Sequence, residues 1–314
     1  MIQWKEPDIG SLDAIEKLAA ETAAMGSDMS AANIFLLRHK YKIQIAFYDG
    51  FLIRKYVSHS DLSGRNGVAF PAGTGNPQGA VQALIDDWQS TCRGTEGQLR
   101  FIFLSETQKT WLCEHFPKAQ FFQDAGNSDY LYTAEHLAFL AGKKNHKKRN
   151  HVSRFTKTFP DFEFELYDET SSPDFLKIED AWLTEQKESA SGISESMNFE
   201  RTEIQEAIAH WNKLKLCGAI LRVNGTPAAM TIASEISPGV FDIHFEKSYG
   251  IYAENGGFAA INMKFAEHLL TKRDAAWLNR EEDVNIEGLR KAKLSYHPDL
   301  LLGKYDCILE ESKC

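Results

Sequence analysis

Two short stretches concentrate the side chains that could do chemistry. The first is "FDIHFEKS", residues 241–248. Strand alternation would put Asp242, His244 and Glu246 on one face and Ile243, Phe245 and Lys247 on the other. An imidazole beside a carboxylate can take a proton from an attacking amine or hydroxyl, or hold the amino group of an incoming donor. An exposed strand face wearing polar residues would give the same pattern. The second stretch is "LNREEDVNIEGLRKAKLSYHP", residues 278–298, where a strand end meets a helix. Ligands of open α/β sheets lie at such strand ends. Glu281, Asp283 and Lys293 join His244 and Glu246 as catalytic candidates, and Lys247, Asn279, Arg290 and Tyr296 as substrate-binding ones. A mixed acid and base cluster suits a zwitterionic aminoacyl group or a phosphate-bearing acceptor.

Two further stretches could hold phosphate. In "SYGIYAENGGFAA" (248–260) the residues Asn255, Gly256 and Gly257 precede a helix whose first N–H groups and dipole favour an anion. Glu254 beside them would repel one, and a plain glycine turn explains the same residues. The other stretch, "HLAFLAGKKNHKKRNHVSRFTKTFP" (136–160), has seven Lys or Arg and no acid in a chain of net charge -9. Exposed helices usually mix both signs, so the one-sided composition points to a polyanion. As one helix closing before Pro160, with Gly142 able to interrupt it near its start, it would place Lys143, Lys147, Arg154 and Lys157 within about 80° of one another. Leu137, Ala141, Val152, Phe155 and Phe159 would pack on the opposite side, with Lys144, Lys148 and His151 at its edge. A tRNA backbone would gain several phosphate contacts on this stripe, and an anionic membrane could use it too. A solvated connecting helix is the plainer alternative.

Metal binding draws little support from spacing. His146 and His151 stand about 140° apart on a helix, and neither His244 nor His297 has a cysteine or carboxylate at ligand spacing. Walker, GxSxG and HExxH motifs are absent. The glycine-rich "FPAGTGNPQG" (70–79) reads as a turn between strand and helix.

The elements that must position these residues follow from periodicity. In the second half, "FEFELYD" reads as a strand, then come helices from Ser172 and near 200–214. A hairpin follows, turning at Asn224-Gly225, a dipeptide that tolerates positive φ at both positions. The strand 239–247, a helix with Phe258, Ile261, Phe265 and Leu269 on one face, the strand "AAWLNRE", a helix and the strand "KYDCILE" complete an order β-α-α-β-β-β-α-β-α-β. The first half runs similarly: a helix near 11–25, a hairpin at Asp49-Gly50, the strand "GVAF", helices near 77–92 and 106–115 around the strand "LRFIFLS", and strands near 119–133. At 314 residues the chain is comfortable for two such domains.

The composition, 43% hydrophobic and 25% charged, is that of an ordinary globular protein. No run approaches a bilayer-spanning length, the N-terminus lacks a signal-peptide pattern, and the five scattered cysteines suit reduced thiols. A cytoplasmic location is the expectation.

The order of elements in the second half resembles the GCN5-related N-acetyltransferase (GNAT) fold. "YLYTAEHLAFLAGKKNHKKRNHVSRF", "FEKSYGIYAENGGFAAINMKFAEHL" and "LNREEDVNIEGLRKAKLSYHP" resemble the bacterial family grouped with the C-terminal domain of phosphatidylglycerol lysyltransferases. The resemblance implies tandem acetyltransferase-like domains, with relatives that move an amino acid from aminoacyl-tRNA to a lipid head group or a cell-wall precursor. Where the lipid enzymes read Asp-x-x-Arg before the loop, this chain reads His244-Phe245-Glu246-Lys247, and no counterpart of their membrane-spanning flippase region is expected in it. The substrate therefore does not carry over.

The expected fold is α/β (α+β): an acetyltransferase-like domain over 1–135, a basic connecting helix over 136–160, and a second such domain over 161–314 with the reaction cleft. Each domain would be a mixed, mostly antiparallel sheet flanked by helices. The leading function is acyl transfer, with aminoacyl-tRNA as donor and an amine or hydroxyl, such as a lipid head group or small molecule, as acceptor. An acyl-CoA thioester is the alternative donor, and non-catalytic binding of an anionic ligand is the third reading.

Overall fold

The computed structural model describes residues 2–57, 65–91, 98–188 and 195–309. Two compact units result. The first comprises Met1–Asp129, Glu282–Glu287 and Leu301–Cys314, the second Tyr130–Glu281 and Gly288–Leu300. Each carries a mixed, mostly antiparallel sheet flanked by helices, which is the tandem acetyltransferase-like architecture expected from the sequence.

The first unit opens with α1 (Leu12–Glu21) and α2 (Ala31–Leu36), the latter a helix that periodicity missed. Next come β1 (Gln44–Tyr48), β2 (Phe51–Val57), β3 (Asn66–Ala69), α3 (Gln78–Thr91), β4 (Arg100–Leu104), α4 (Glu106–His115) and β5 (Gln120–Gln123). Asp49 and Gly50 both take positive φ, as a tight turn between β1 and β2 requires. Ser105 and Gln108 cap α4 reciprocally, satisfying two of the donors that a helix start leaves open.

The second unit holds β6 (Asp129–Thr133), α5 (Ala134–Phe139), α6 (His146–Thr158), β7 (Phe162–Leu166), α7 (Ser172–Glu188), α8 (Glu195–Ala209), β8 (Cys217–Val223), β9 (Thr226–Ser237) and β10 (Val240–Ser248). It continues with α9 (Gly250–Glu254), α10 (Gly257–Lys272), β11 (Trp277–Asn279), α11 (Glu287–Leu294) and β12 (Leu300–Leu302), and β13 (Tyr305–Ile308) follows in the chain. The strand orders are β1-β2-β3-β4-β13-β5 and β12-β6-β11-β10-β9-β8-β7. The final strand "KYDCILE" thus joins the first sheet rather than the second. Its partners are β4 and β5, and Cys307 is fully buried in that core. Conversely β6, written in the first half, pairs with β11 of the second sheet.

One feature recurs in both sheets. Antiparallel strands lead to a parallel pair, β3 with β4 and β10 with β11, whose members are joined through helical segments. The β10–β11 pairing is short: Val240↔Trp277, Phe241↔Leu278 and Asp242↔Asn279. Beyond it β10 stays paired with β9 as far as Ser248↔Ala229 while β11 has ended. The sheet therefore opens on one side of β10 from Ile243 onward.

The basic stretch is not one connecting helix. Leu140 and Gly142 take positive φ and split it into α5 and α6. Arg149 of α6 donates to the carbonyls of Leu140 (2.5 Å) and Gly142 (2.7 Å), satisfying acceptors that the end of α5 leaves open. Both helices pack on α10 and belong to the core of the second unit through Leu137, Ala138, Leu140, Val152 and Phe155. Ala141, expected in that packed face, is exposed. Phe155 is fully buried among Phe159 and Phe162, with ring centroids 5.1 and 5.4 Å away. Phe155→Ala is therefore expected to cost about 3–5 kcal/mol, whereas Lys157→Ala on the exposed side should stay within about 0.5 kcal/mol. Urea unfolding of the two variants checks the contrast.

Candidate active site

The opening beside β10 gathers the polar residues. A register shift between Ile243 and Phe245 interrupts the pairing of β10 with β9 and changes the side-chain phase, as bulges do. Asp242, His244 and Glu246 consequently do not share one set of neighbours, in contrast to the simple alternation expected from sequence. Glu246 turns to α10, where Asn262 donates to it (2.8 Å), and receives Arg280 from the end of β11 (2.8 Å). His244 instead shares a hydrogen bond with Ser234 of β9 (2.8 Å). Its Nδ1 lies 3.5 Å from Asp242 and 3.7 Å from Glu281. Of these two carboxylates, Asp242 is the one alternation placed beside His244, and Glu281 arrives from the turn after β11.

Around Glu246 and Arg280 stands a layer of aromatic and basic groups. Tyr296 is buried, and the Arg280 guanidinium lies 4.8 Å from its ring centroid. The Lys148 ammonium lies 3.8 Å from the same ring. Burial pushes the Lys148 amine down to about 8, with the Arg280 charge adding to the effect and Glu246 opposing it. Burial likewise raises the Tyr132 and Tyr296 hydroxyls, against the pull of Arg280. Lys148 and Arg280 are the residues sequence reading did not select. The helical wheel left Lys148 at the edge of the packed side, which was the available signal.

The remaining candidates are dispersed. Asn279 is buried at the end of β11 and accepts the N–H of Glu281 (2.7 Å), which holds the turn at that positive-φ residue. Lys293 on α11 presents its carbonyl to the Tyr132 hydroxyl (2.7 Å), and its ammonium stands 5.8 Å from the Tyr130 ring centroid. Arg290 is half-buried on α11. Asp283 lies in the first unit, where its side chain accepts the N–H of Asn285 (2.8 Å). Lys247 points away from Glu246: it meets Glu179 (3.9 Å) and Glu200 and lies 3.2 Å from the Trp182 ring centroid. Gly256 takes φ +100, and a Cβ there would overlap the His151 carbonyl on α6, while one at Gly257 would overlap the Ser248 hydroxyl. Both glycines therefore have a packing role, letting α6 and β10 approach the start of α10. Asn255 donates to the Ile251 carbonyl (2.8 Å) within α9. Lys143, Lys147, Arg154 and Lys157 are all exposed, with Lys143 in the turn before α6. Cys92 and Cys314 lie outside the described residues. The glycine-rich turn 70–79 connects β3 to α3 and also lines a cavity of about 450 Å³ in the first unit, with Arg54, Phe103 and Lys304.

The two sheets, each with its flanking helices, define a tandem acetyltransferase-like fold. The family described as phosphatidylglycerol lysyltransferase, C-terminal, matches residues 19–308, and the chain belongs to it. A conserved protein of unknown function from Bacteroides thetaiotaomicron VPI-5482 is similar throughout: TM-score 0.88 at 30% identity, covering 99% of this chain and 100% of that one. L-PGS from Bacillus licheniformis shares the fold with TM-score 0.63 at 14% identity over 98% of this chain and 94% of that one. A tandem GNAT protein from the clavulanic acid biosynthesis pathway does so with TM-score 0.51 at 7% identity, over 100% of each chain. No protein of curated function matches. No helix among the described residues is long and apolar enough to cross a membrane.

The Lys247 cluster makes a separate stability test. Burial raises Glu179 to about 7, opposed first by the charge of Lys247. A raised acid binds more protons folded than unfolded, so its contribution to stability falls as pH climbs from the ordinary carboxylate range through about 7. Lys247→Met removes the opposing cation and is expected to destabilise by about 3 kcal/mol. The loss should be larger at pH 8 than at pH 5.5, which thermal unfolding at the two pH values measures.

Proposed function

We propose that the opening between β10 and β11 transfers an aminoacyl group from aminoacyl-tRNA to an amine or hydroxyl acceptor. The observation that carries this reading is the convergence of Lys148, Arg280, Glu246 and Tyr296 where the parallel pairing stops after Asp242↔Asn279. Family membership makes an acyltransferase the natural class.

The roles follow from chemistry. The acceptor attacks the ester carbonyl of the donor. Lys148 in its neutral form takes the proton that the acceptor loses, which an amine brought down to about 8 can do near neutral pH. Arg280, fixed by Glu246, faces the negative charge that develops on the carbonyl oxygen. The proton then passes to the departing ribose hydroxyl of the tRNA. Asp242 and Glu281, flanking His244, form an acidic wall suited to the α-amino group of the donor. Lys143, Lys147, Arg154 and Lys157 supply an exposed basic surface for the tRNA phosphates. The close packing at Gly256 and Gly257, with Glu254 exposed nearby, favours this donor over an acyl-CoA pyrophosphate at the α10 start.

Binding and turnover test the two halves of the reading. Purified protein is titrated with pooled aminoacyl-tRNA at near-physiological salt, with CoA as competitor. Lys147, Arg154 and Lys157 changed together to Glu should abolish binding, and CoA should not compete. Absence of binding by the wild type, or displacement by CoA, would overturn the tRNA donor. For turnover, the rate should rise as pH passes through about 8 and Lys148 loses its proton. Lys148→Arg, which stays charged, should lose that rise and about 10²–10⁴-fold in rate. An unchanged pH profile in Lys148→Arg would remove Lys148 from the mechanism.

A further inference from the structure

Around His244 the ligand atoms of three side chains converge. One atom each from Asp242, His244 and Glu281 lies within 4.8 Å of the others. The imidazole Nδ1 stands 3.5 Å from Asp242 Oδ2 and 3.7 Å from Glu281 Oε1, longer than well-formed hydrogen bonds. A cation spaces its ligands in this way: groups bonded at about 2.1 Å around a tetrahedral centre stand about 3.4 Å apart.

The imidazole is also held in the orientation a ligand needs. Its Nε2 hydrogen-bonds the Ser234 hydroxyl at 2.8 Å, and Ser234 lies opposite Asp242 in the β9–β10 register. In the tautomer that carries its proton on Nε2, the Nδ1 lone pair faces the two carboxylates. Metal-binding histidines have this arrangement, with the far ring N–H given to a neighbouring acceptor. Asp242 is fully buried and the His244 side chain is 1% exposed, whereas the Glu281 side chain is 27% exposed and provides the way in.

We propose that Asp242, His244 and Glu281 bind one divalent transition-metal ion. Two carboxylates and an imidazole suit Zn²⁺, Mn²⁺ or Fe²⁺, and the imidazole disfavours Mg²⁺. Three protein ligands leave a coordination position for water or substrate. A donor amino group reaching this wall would then bind as the free amine rather than as an ammonium. The inference rests on the geometry of the three ligands and does not need the transfer reading, since its test reads the metal and not turnover.

The experiment strips the protein with a chelator, removes the chelator, and titrates Zn²⁺ and Mn²⁺ calorimetrically. The visible absorption of a Co²⁺ complex reports coordination independently. One ion per chain is expected, with no displacement by an equal concentration of Mg²⁺. Ser234→Ala should weaken binding about ten- to a hundredfold through the lost orienting bond. Glu281→Gln, a half-exposed and nearly isosteric change that spares the core, should weaken it at least as much. Absence of saturable binding by folded wild-type protein would overturn the proposal. So would an unaltered affinity in Glu281→Gln, because the ion would then be held elsewhere.

Discussion

Everything proposed for the second unit depends on where two parallel strands part. β10 and β11 pair over Val240–Asp242 and Trp277–Asn279 and no further. An uninterrupted sheet would fill the space beside His244 and Glu246 with backbone. Because β11 stops, Arg280 and Glu281 turn into that space and meet Glu246 and His244 respectively. The shift in β10 after Ile243 divides these partners between its surroundings, giving one cluster built on Arg280 and another on His244. Buried charges of this kind are costly to gather unless each has a counter-charge and hydrogen bonds. Glu246 has both, through Arg280 and Asn262.

The basic stretch serves three purposes at once. Its apolar side holds α6 on α10 and buries Phe155. Arg149 closes the break between α5 and α6 by reaching carbonyls at the end of the first helix. Lys148, one residue earlier, reaches the Tyr296 ring beside Arg280, and burial there makes its charge expensive. Only the residues left outside these tasks are available to a polyanion. A run of like charges that looks uniform in sequence is thus sorted by the helix into structural, partly buried and surface groups.

Local chemistry made much of the fold legible. Asp49-Gly50 and Asn224-Gly225 turn as their tolerance of positive φ implies, and Ser172 lies at the start of α7. The candidate site was legible as two segments, with His244, Glu246 and Glu281 brought into one unit. What escaped detection depends on long-range pairing. No glycine or proline marks the shift at Ile243, so alternation carried Glu246 to the wrong neighbours. Nothing in "KYDCILE" distinguishes a strand for one sheet from a strand for the other, since alternation fixes its two faces and not its partners. Glu281 and Asp283 are two residues apart yet fall in different units. Lys148 and Arg280 acquire their setting only when α6 and the end of β11 meet at Tyr296, contacts far apart in the chain.

The central claim, that the opening beside β10 is a reacting site with Lys148 in it, is tested most directly by NMR. The ¹³Cε signal of Lys148 is followed through a pH titration, in free protein and with a non-hydrolysable aminoacyl-adenosine analogue bound. The account predicts a midpoint near the value of about 8 set by burial and Arg280, moved when the analogue fills the site. A midpoint at the ordinary lysine value of about 10.4, indifferent to the analogue, would contradict it.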